Sequence, residues 1–368
     1  MKNIAIIGAG LCGATIARNL SDQLPSINLT MFEEKDVLGG NLHEISVRGT
    51  LVHEHGPHIF HTKSKYVWDF ISRFSTWEPY FHEVRAYVRG ISVPVPFNFE
   101  SIDLIYGEYG NTFKEELIKN FGFGKRISVA KLLETESETL KILAEEIYQK
   151  IFKGYSEKQW GIPMADINKG VLARVPVVTS YDPRYFDDQY QFIPCLGYND
   201  LIQNMLDLPN LTIKKNEKIT FDQIEVDRYD KVFVTGPIDG FFNHKFGKLE
   251  YRSLRFQQIK GDVLSPKYET TQTNFPNEYD FTRVVRYGFT ESTTQEPVFI
   301  AEYPITPIDE NAPKYYPVNN STNDSLFRNY LNYSEKFDKL TFAGRLADFK
   351  YYNMDQVIAR GIKVSNII

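Results

Sequence analysis

Lys2-Asn3-Ile4-Ala5-Ile6-Ile7-Gly8-Ala9-Gly10-Leu11-Cys12-Gly13-Ala14-Thr15 reads as an apolar strand, a G-x-G-x-x-G turn and the start of a helix that runs to Leu20. The order matters, because a dinucleotide pyrophosphate is held where a glycine turn feeds the positive end of a helix. Gly8 permits the tight turn, Gly10 lets the backbone approach the phosphates, and Gly13 lets helix and strand pack closely. Leu29-Thr30-Met31-Phe32 reads as the second strand, and Glu33 ends it twenty residues past Gly13, where a carboxylate can take ribose hydroxyls. Glu34 stands next to it. The expected fold class is α/β, built on a discontinuous Rossmann-like dinucleotide-binding domain.

The second glycine pair, Gly39-Gly40-Asn41, falls just past the acidic residues. A cofactor longer than NAD needs a further close approach of backbone there, which favours FAD. Composition narrows the rest. A net charge of −5 and the absence of a basic block leave no general attraction to nucleic acid, so a polyanionic ligand needs a local arginine cluster. Two cysteines, Cys12 and Cys195, exclude a disulfide framework and a C-x-x-C redox pair, and fit a reducing cytosol. The first strand begins at the third or fourth residue, and no run approaches roughly eighteen apolar residues. A cytoplasmic protein with neither signal peptide nor membrane span is expected. Tyr 23 and Phe 27 far outnumber Trp 3, a supply of ring faces for cores and for stacking on bases, sugars or flavin.

Val52 to Thr62 holds four of the seven histidines. Strand alternation scatters them to opposite faces, so a metal site is not expected, and His58 and His61 are read as neutral hydrogen-bonding groups near the cofactor. Val84 to Phe97 alternates around a glycine turn as a hairpin. Helical periodicity follows over Ile102–Tyr106, Phe113–Asn120 and Leu132–Ile151, ending at Gly154. Leu211–Ile213 and Lys231–Val234 look like an adjacent strand pair ending at Gly236, and Leu340–Phe342 is a last strand before Gly344 and Arg345. The expected division is an FAD-binding domain over 1–80, 195–245 and 318–368, a helical insert with a mobile substrate loop over 98–194, and an antiparallel β-sheet domain over 81–97 and 246–317.

Gly39-Gly40-Asn41, Gly56-Pro57-His58-Ile59-Phe60-His61-Thr62, Lys153-Gly154-Tyr155-Ser156-Glu157-Lys158-Gln159-Trp160-Gly161, Glu250-Tyr251-Arg252-Ser253-Leu254, Thr282-Arg283, Tyr315-Tyr316-Pro317 and Ala343-Gly344-Arg345 with Tyr351-Tyr352-Asn353-Met354 follow one another along the chain. In this order and spacing the sequence resembles the bacterial UDP-galactopyranose mutases. The resemblance implies FAD that must be reduced for activity, and reversible ring contraction of UDP-galactopyranose to UDP-galactofuranose for cell-surface glycans, without net redox change. In that family N5 of the reduced flavin bonds to the sugar while UDP departs and returns. It also implies a homodimer and a cellular flavin reductant such as NAD(P)H.

Carried over by position, the resemblance assigns Phe152, Tyr155 and Trp160 to the uridine wall. Arg174 and Arg283 become the diphosphate clamp and the catalytic cations, since a net-negative protein must supply guanidinium partners locally. Arg252, Tyr185, Asn274, Glu302, Tyr316 and Tyr351 complete the diphosphate and sugar contacts. Gly8, Gly10, Gly13, Glu33, Glu34, Gly40, Asn41, His58, Ile59, His61, Gly236, Gly344, Arg345, Tyr351, Asn353 and Met354 lie along FAD. Asn353 stands where several relatives carry Asp, and the segment from Gln272 to Phe281 is short. Three other readings share this scaffold: the same reaction on UDP-N-acetylgalactosamine, an FAD oxidoreductase of the amine-oxidase kind, and a flavin-free binding protein such as the guanine-nucleotide-dissociation inhibitors.

Overall fold

The computed structural model describes residues 2–24, 26–164, 176–260, 270–288, 296–307 and 312–366. Its organising layer is a five-stranded parallel sheet. Strand β1 (Lys2–Ile7) lies at the centre, β2 (Ile27–Phe32) on one side and Lys231–Val234 on the other, with Leu211–Lys214 and Leu340–Phe342 at the edges. Helix α1 (Leu11–Gln23) connects β1 to β2. Ile4, Ile6, Ile16 and Leu20 are completely buried between strands and helices. Each such side chain contributes about 1.5–3 kcal/mol. The closing helix Met354–Ser365 packs on α1 so tightly at Gly361 that an added Cβ would sit 2.9 Å from Thr15 Cγ2.

Two sequence expectations are corrected in this sheet and its surroundings. Leu211–Lys214 and Lys231–Val234 are not adjacent, because β2 and β1 lie between them. Each return of the chain extends a different side of the sheet. The long helix expected over Leu132–Ile151 is broken at Ser137, whose side chain accepts from Leu140 N and starts a new helix, Glu138–Ile147. Gly154 does not end that run. A six-residue π-helical stretch, Tyr148–Lys153, leads directly into the helix Gly154–Trp160. The glycine is required by close packing: a Cβ there would meet Pro276 O at 2.5 Å. Leu140, Leu143, Ile147 and Ile151 are buried together as their spacing predicts.

The second large sheet has seven strands in the order Tyr316–Pro317, Tyr251–Ile259, Val298–Ile305, Arg283–Tyr287, Gln272–Asn274, Val84–Val88, Ile91–Val95. It is antiparallel except where Gln272–Asn274 runs parallel to Val84–Val88. The hairpin turn at Arg89-Gly90 takes φ +51° and +83°, which suits the strand twist. Tyr190–Pro194, grouped with the helical insert from sequence, pairs instead with Phe60–Thr62 and Trp77–Pro79. Among the described residues no helix is long and apolar enough to cross a membrane.

Candidate active site

The glycine turns meet at the carboxyl end of β1. Gly39 N donates to Ala9 O at 2.9 Å, and Gly10 bridges to Gly39, so the first and second glycine turns form one surface. Gly8 takes φ +103°, and a Cβ on Gly13 would lie 2.0 Å from Gly8 O. Gly10 is different. Among the described residues its added Cβ would approach no atom beyond its chain neighbours closer than 3.9 Å, and at Gly236 none lies within 4 Å. The free space above these two glycines, with an α1 N-cap that supplies no side-chain acceptor, suits a bound pyrophosphate. Glu33 is buried and accepts from Ala9 N (2.8 Å) and Lys35 N (3.0 Å), which leaves lone pairs for ribose hydroxyls. Glu34 is exposed. Gly344 takes φ +112° beside Cys12, at the end of the last parallel strand.

A cleft of about 910 Å³ opens beyond this surface, between the parallel sheet, the helical insert and the seven-stranded sheet. Asn41, His58, Ile59, His61, Arg345, Asn353 and Met354 line its floor. Arg345 donates through Nε (3.2 Å) and Nη2 (2.6 Å) to Tyr352 O, and its guanidinium lies 4.9 Å from the Tyr351 ring centre. Burial pushes the His58 imidazole well below its usual range, so it is neutral. His61 Nδ1 sits 2.8 Å from Asp188 Oδ2, and its ring stacks on Phe186 at 3.6 Å. Of the other two histidines of that stretch, His53 is buried and accepts from His58 N, whereas His55 also lines the cleft and bonds the Tyr315 hydroxyl. Among the described residues no group of His, Cys, Asp and Glu could hold a metal ion.

Along the wall, Trp160, Tyr316 and Tyr351 form a strip, the tyrosines stacked at 5.7 Å and 20°. Phe152, Tyr155 and Tyr185 line the cleft with them. Burial pushes the Tyr155 hydroxyl up to about 12, so it stays a neutral donor. At the centre, Arg283 Nε donates to Glu302 Oε2 at 2.7 Å. Burial opposes the arginine's charge, and the carboxylate overcomes that, holding Arg283 cationic. Glu302 itself is raised above the ordinary carboxylate range by the same burial, with Arg283 pulling against the shift. Gly56, at φ +90°, keeps the turn before His58 close to both: its added Cβ would be 3.5 Å from Glu302 Oε1.

Several expected contacts differ in position. Arg252 stands behind the cleft wall, where Nε donates to Gln159 O (3.2 Å) and Nη1 to Thr306 Oγ1 (2.7 Å), securing the end of the Trp160 helix. Glu302 likewise lies behind Arg283. Asn274 lines the cleft, its Oδ1 accepting from Gln272 Nε2 at 2.9 Å. Arg174 lies outside the described residues. Lining residues that no motif marked include His82, Arg126 and Gln272, and Phe186 lines the cleft as well. Arg126 Nη2 donates to Tyr185 O at 2.7 Å. Tyr185 and Phe186 come from a stretch that interleaves aromatics with an arginine: Tyr181, Arg184, Tyr185, Phe186 and Tyr190.

Residues 150–351 match the family model "UDP-galactopyranose mutase", and residues 6–74 a model described as an NAD(P)-binding Rossmann-like domain. The chain belongs to the UDP-galactopyranose mutase family. The family match thus spans the aromatic wall, Arg283 and Tyr351, while the Rossmann match spans the glycine turns. A UDP-galactopyranose mutase of Mycoplasma genitalium is 33% identical over 98% of this chain and 93% of its own length. A probable UDP-galactopyranose mutase of Klebsiella pneumoniae is 31% identical over 99% and 94%. A dTDP-fucopyranose mutase of Escherichia coli is also 31% identical, over 100% and 98%. A crystal structure of reduced UDP-galactopyranose mutase superposes with a TM-score of 0.71 at 17% identity, covering 100% of this chain and 93% of that one, a likeness of fold. Members of the UDP-galactopyranose mutase family are isomerases, and the dinucleotide-binding domain here is the Rossmann-like part of that architecture.

Proposed function

We propose that this protein binds FAD and, with the flavin reduced, interconverts UDP-galactopyranose and UDP-galactofuranose. The observation that carries the reading is Arg283, a buried cation fixed by Glu302 on the wall of a cleft that also bears Tyr155, Trp160, Tyr316 and Tyr351. A fixed guanidinium suits a diphosphate, and flat aromatic faces suit a uracil ring and a sugar. The two open glycine turns beside this cleft fit the pyrophosphate of the cofactor, with Gly8, Gly10, Gly13, Glu33, Gly40 and Gly236 around its adenosine half. Asn41, His58, Ile59, His61, Arg345, Asn353 and Met354 would face the flavin end. Reduced flavin supplies the electron-rich nitrogen that the ring contraction uses.

The chain's own residues keep the leaving diphosphate nearby and stabilise its charge through Arg283 and Arg174. The aromatic wall excludes water that would hydrolyse the sugar. Neutral His58 and the neutral hydroxyls of Tyr155 and Tyr316 offer hydrogen bonds without adding charge. A cytoplasmic homodimer reduced by NAD(P)H is the form this reading gives. The 31% identity to a dTDP-fucopyranose mutase supports a second reading, the same contraction on a different nucleotide sugar. Side-by-side kinetics of reduced protein on UDP-galactofuranose, its N-acetyl analogue and a dTDP-6-deoxyhexose decide among these substrates. UDP-galactofuranose is expected to give the highest kcat/KM; a tenfold preference for either competitor overturns the assignment.

A further inference from the structure

The strand Phe60–Thr62 sets His61 opposite Gln191 of the strand Tyr190–Pro194. Gln191 is buried, and its Nε2 donates back to Asp188 O at 2.8 Å and to Phe186 O at 3.4 Å, which folds residues 186–188 over the imidazole. Two contacts with the ring follow. Phe186 stacks on it at 3.6 Å and 13°, and Asp188 Oδ2 lies 2.8 Å from its Nδ1. Arg126 secures the residues just before, through Nη1 to Arg184 O at 3.3 Å and Nη2 to Tyr185 O. The plane of the imidazole and one of its nitrogens are thus held by a piece of chain whose own backbone is tied down.

A carboxylate can only accept, so the hydrogen of this bond belongs to Nδ1. A neutral imidazole carries one such hydrogen, and with Nδ1 taken, Nε2 presents a lone pair. Among the described residues nothing bonds to Nε2. The His61 side chain is nevertheless only 14% exposed, and Asp188 16%, and both line the cleft with His58, Ile59 and Arg345. Partial burial strengthens the pair relative to one in open water.

We propose that Asp188 is a positioning residue for the reaction: it fixes the plane of His61 and the nitrogen that carries its proton, so that Nε2 is offered as an acceptor to an N–H or O–H group at the flavin end of the cleft. The inference rests on the reading of the cleft as a flavin and nucleotide-sugar site. An imidazole without an acceptor-only partner exchanges tautomers, and whenever Nε2 carries the proton it sets N–H against N–H or O–H and the bond is lost. An orienting carboxylate removes that state, which is its part in any carboxylate–imidazole pair.

Nitrogen NMR of histidine-labelled holoenzyme at pH 8 reads the tautomer directly, the His61 signals being those lost in His61→Asn. The parent should show Nδ1 protonated and Nε2 bare; an Nε2–H tautomer or an imidazolium overturns the proposal. Asp188→Asn keeps the shape but can turn its amide so that N–H meets Nδ1. It should move the ring to Nε2–H and lower kcat, counted per bound flavin, by about tenfold or more. Asp188→Glu keeps an acceptor-only partner, and should hold the Nδ1–H tautomer with a kcat at least about threefold above that of Asp188→Asn. A kcat in Asp188→Asn within threefold of the parent overturns the role in the reaction. A large loss with the Nδ1–H tautomer intact overturns it too, because the charge of the carboxylate would then be the cause. A parent that shows the Nδ1–H tautomer yet turns over none of the sugar nucleotides would overturn the reading of the cleft and leave the Asp188–His61 geometry upheld.

Discussion

Glu302 grips Arg283 from behind the cleft, Oε2 to Nε at 2.7 Å, while its second oxygen Oε1 has no hydrogen-bond partner among the described residues. The carboxylate is thus matched to a single guanidinium, and that guanidinium faces the ligand. Glu302→Gln keeps the shape and removes the charge. Losing a charged hydrogen bond of about 1.5–3 kcal/mol should lower kcat/KM roughly ten- to a hundredfold. Steady-state kinetics of the reduced variant checks this, and a loss under threefold would mean that Arg283 does not depend on the carboxylate.

Arg283 and Arg174 should both be needed for the leaving diphosphate, Arg283 as a fixed cation and Arg174 from the stretch of sequence between Pro163 and Pro176. Arg283→Ala or Arg174→Ala should each cost about 2–4 kcal/mol in the transition state, a rate loss of roughly thirty- to a thousandfold. Rates of the two purified variants measure it. Either arginine whose loss leaves the rate within threefold is removed from the diphosphate site.

Gly10 and Gly13 separate cofactor contact from packing. Gly13→Ala would put a Cβ 2.0 Å from Gly8 O, so the protein should be strongly destabilised or fail to fold. Gly10→Ala has room within the protein, and should fold with its thermal midpoint near that of flavin-free parent protein while retaining little FAD. Flavin absorbance and thermal unfolding of both variants read the difference. Full flavin occupancy in Gly10→Ala would move the pyrophosphate away from this turn.

Acid should weaken the fold through its buried neutral histidines. His82 is pushed down to about 3, His55 to about 4 and His58 well below its usual range, burial being the first cause in each. An unfolded chain binds protons at these rings near pH 6.5, and the folded chain does not, so the unfolded state holds more protons between about pH 4 and 6.5. Stability then falls as pH falls through that window, by up to about 1.4 kcal/mol per pH unit for each fully buried ring. Urea unfolding at pH 7.5, 6 and 5 should show a falling midpoint, which the His82→Phe variant should lessen. A midpoint that is level or rises toward pH 5 would contradict this.

The glycine turns, Glu33 and the motif blocks were legible because their residue types answer to local demands: a positive φ, a backbone approach, a carboxylate at a strand end. Leu140, Leu143, Ile147 and Ile151 were legible from period alone. What escaped was non-local. Nothing near Tyr80 signals that its hydroxyl meets the Thr271 hydroxyl across 191 residues of chain, since that pairing depends on Gln272–Asn274 lying parallel to Val84–Val88. Arg252 misled for the opposite reason: its motif is local, but Gln159 O and Thr306 Oγ1 draw its guanidinium behind the wall. Gly154 read as a helix stop because a glycine's need for close packing against Pro276 leaves no mark in the sequence.

The most direct test of the central claim is product analysis of UDP-galactofuranose incubated with dithionite-reduced holoenzyme, set beside the same enzyme left oxidised. The expected result is many equivalents of UDP-galactopyranose per flavin in the reduced sample, the flavin still reduced at the end, and at most a trace in the oxidised one. Equal conversion by oxidised enzyme would contradict it, as would one flavin redox change for every molecule of product.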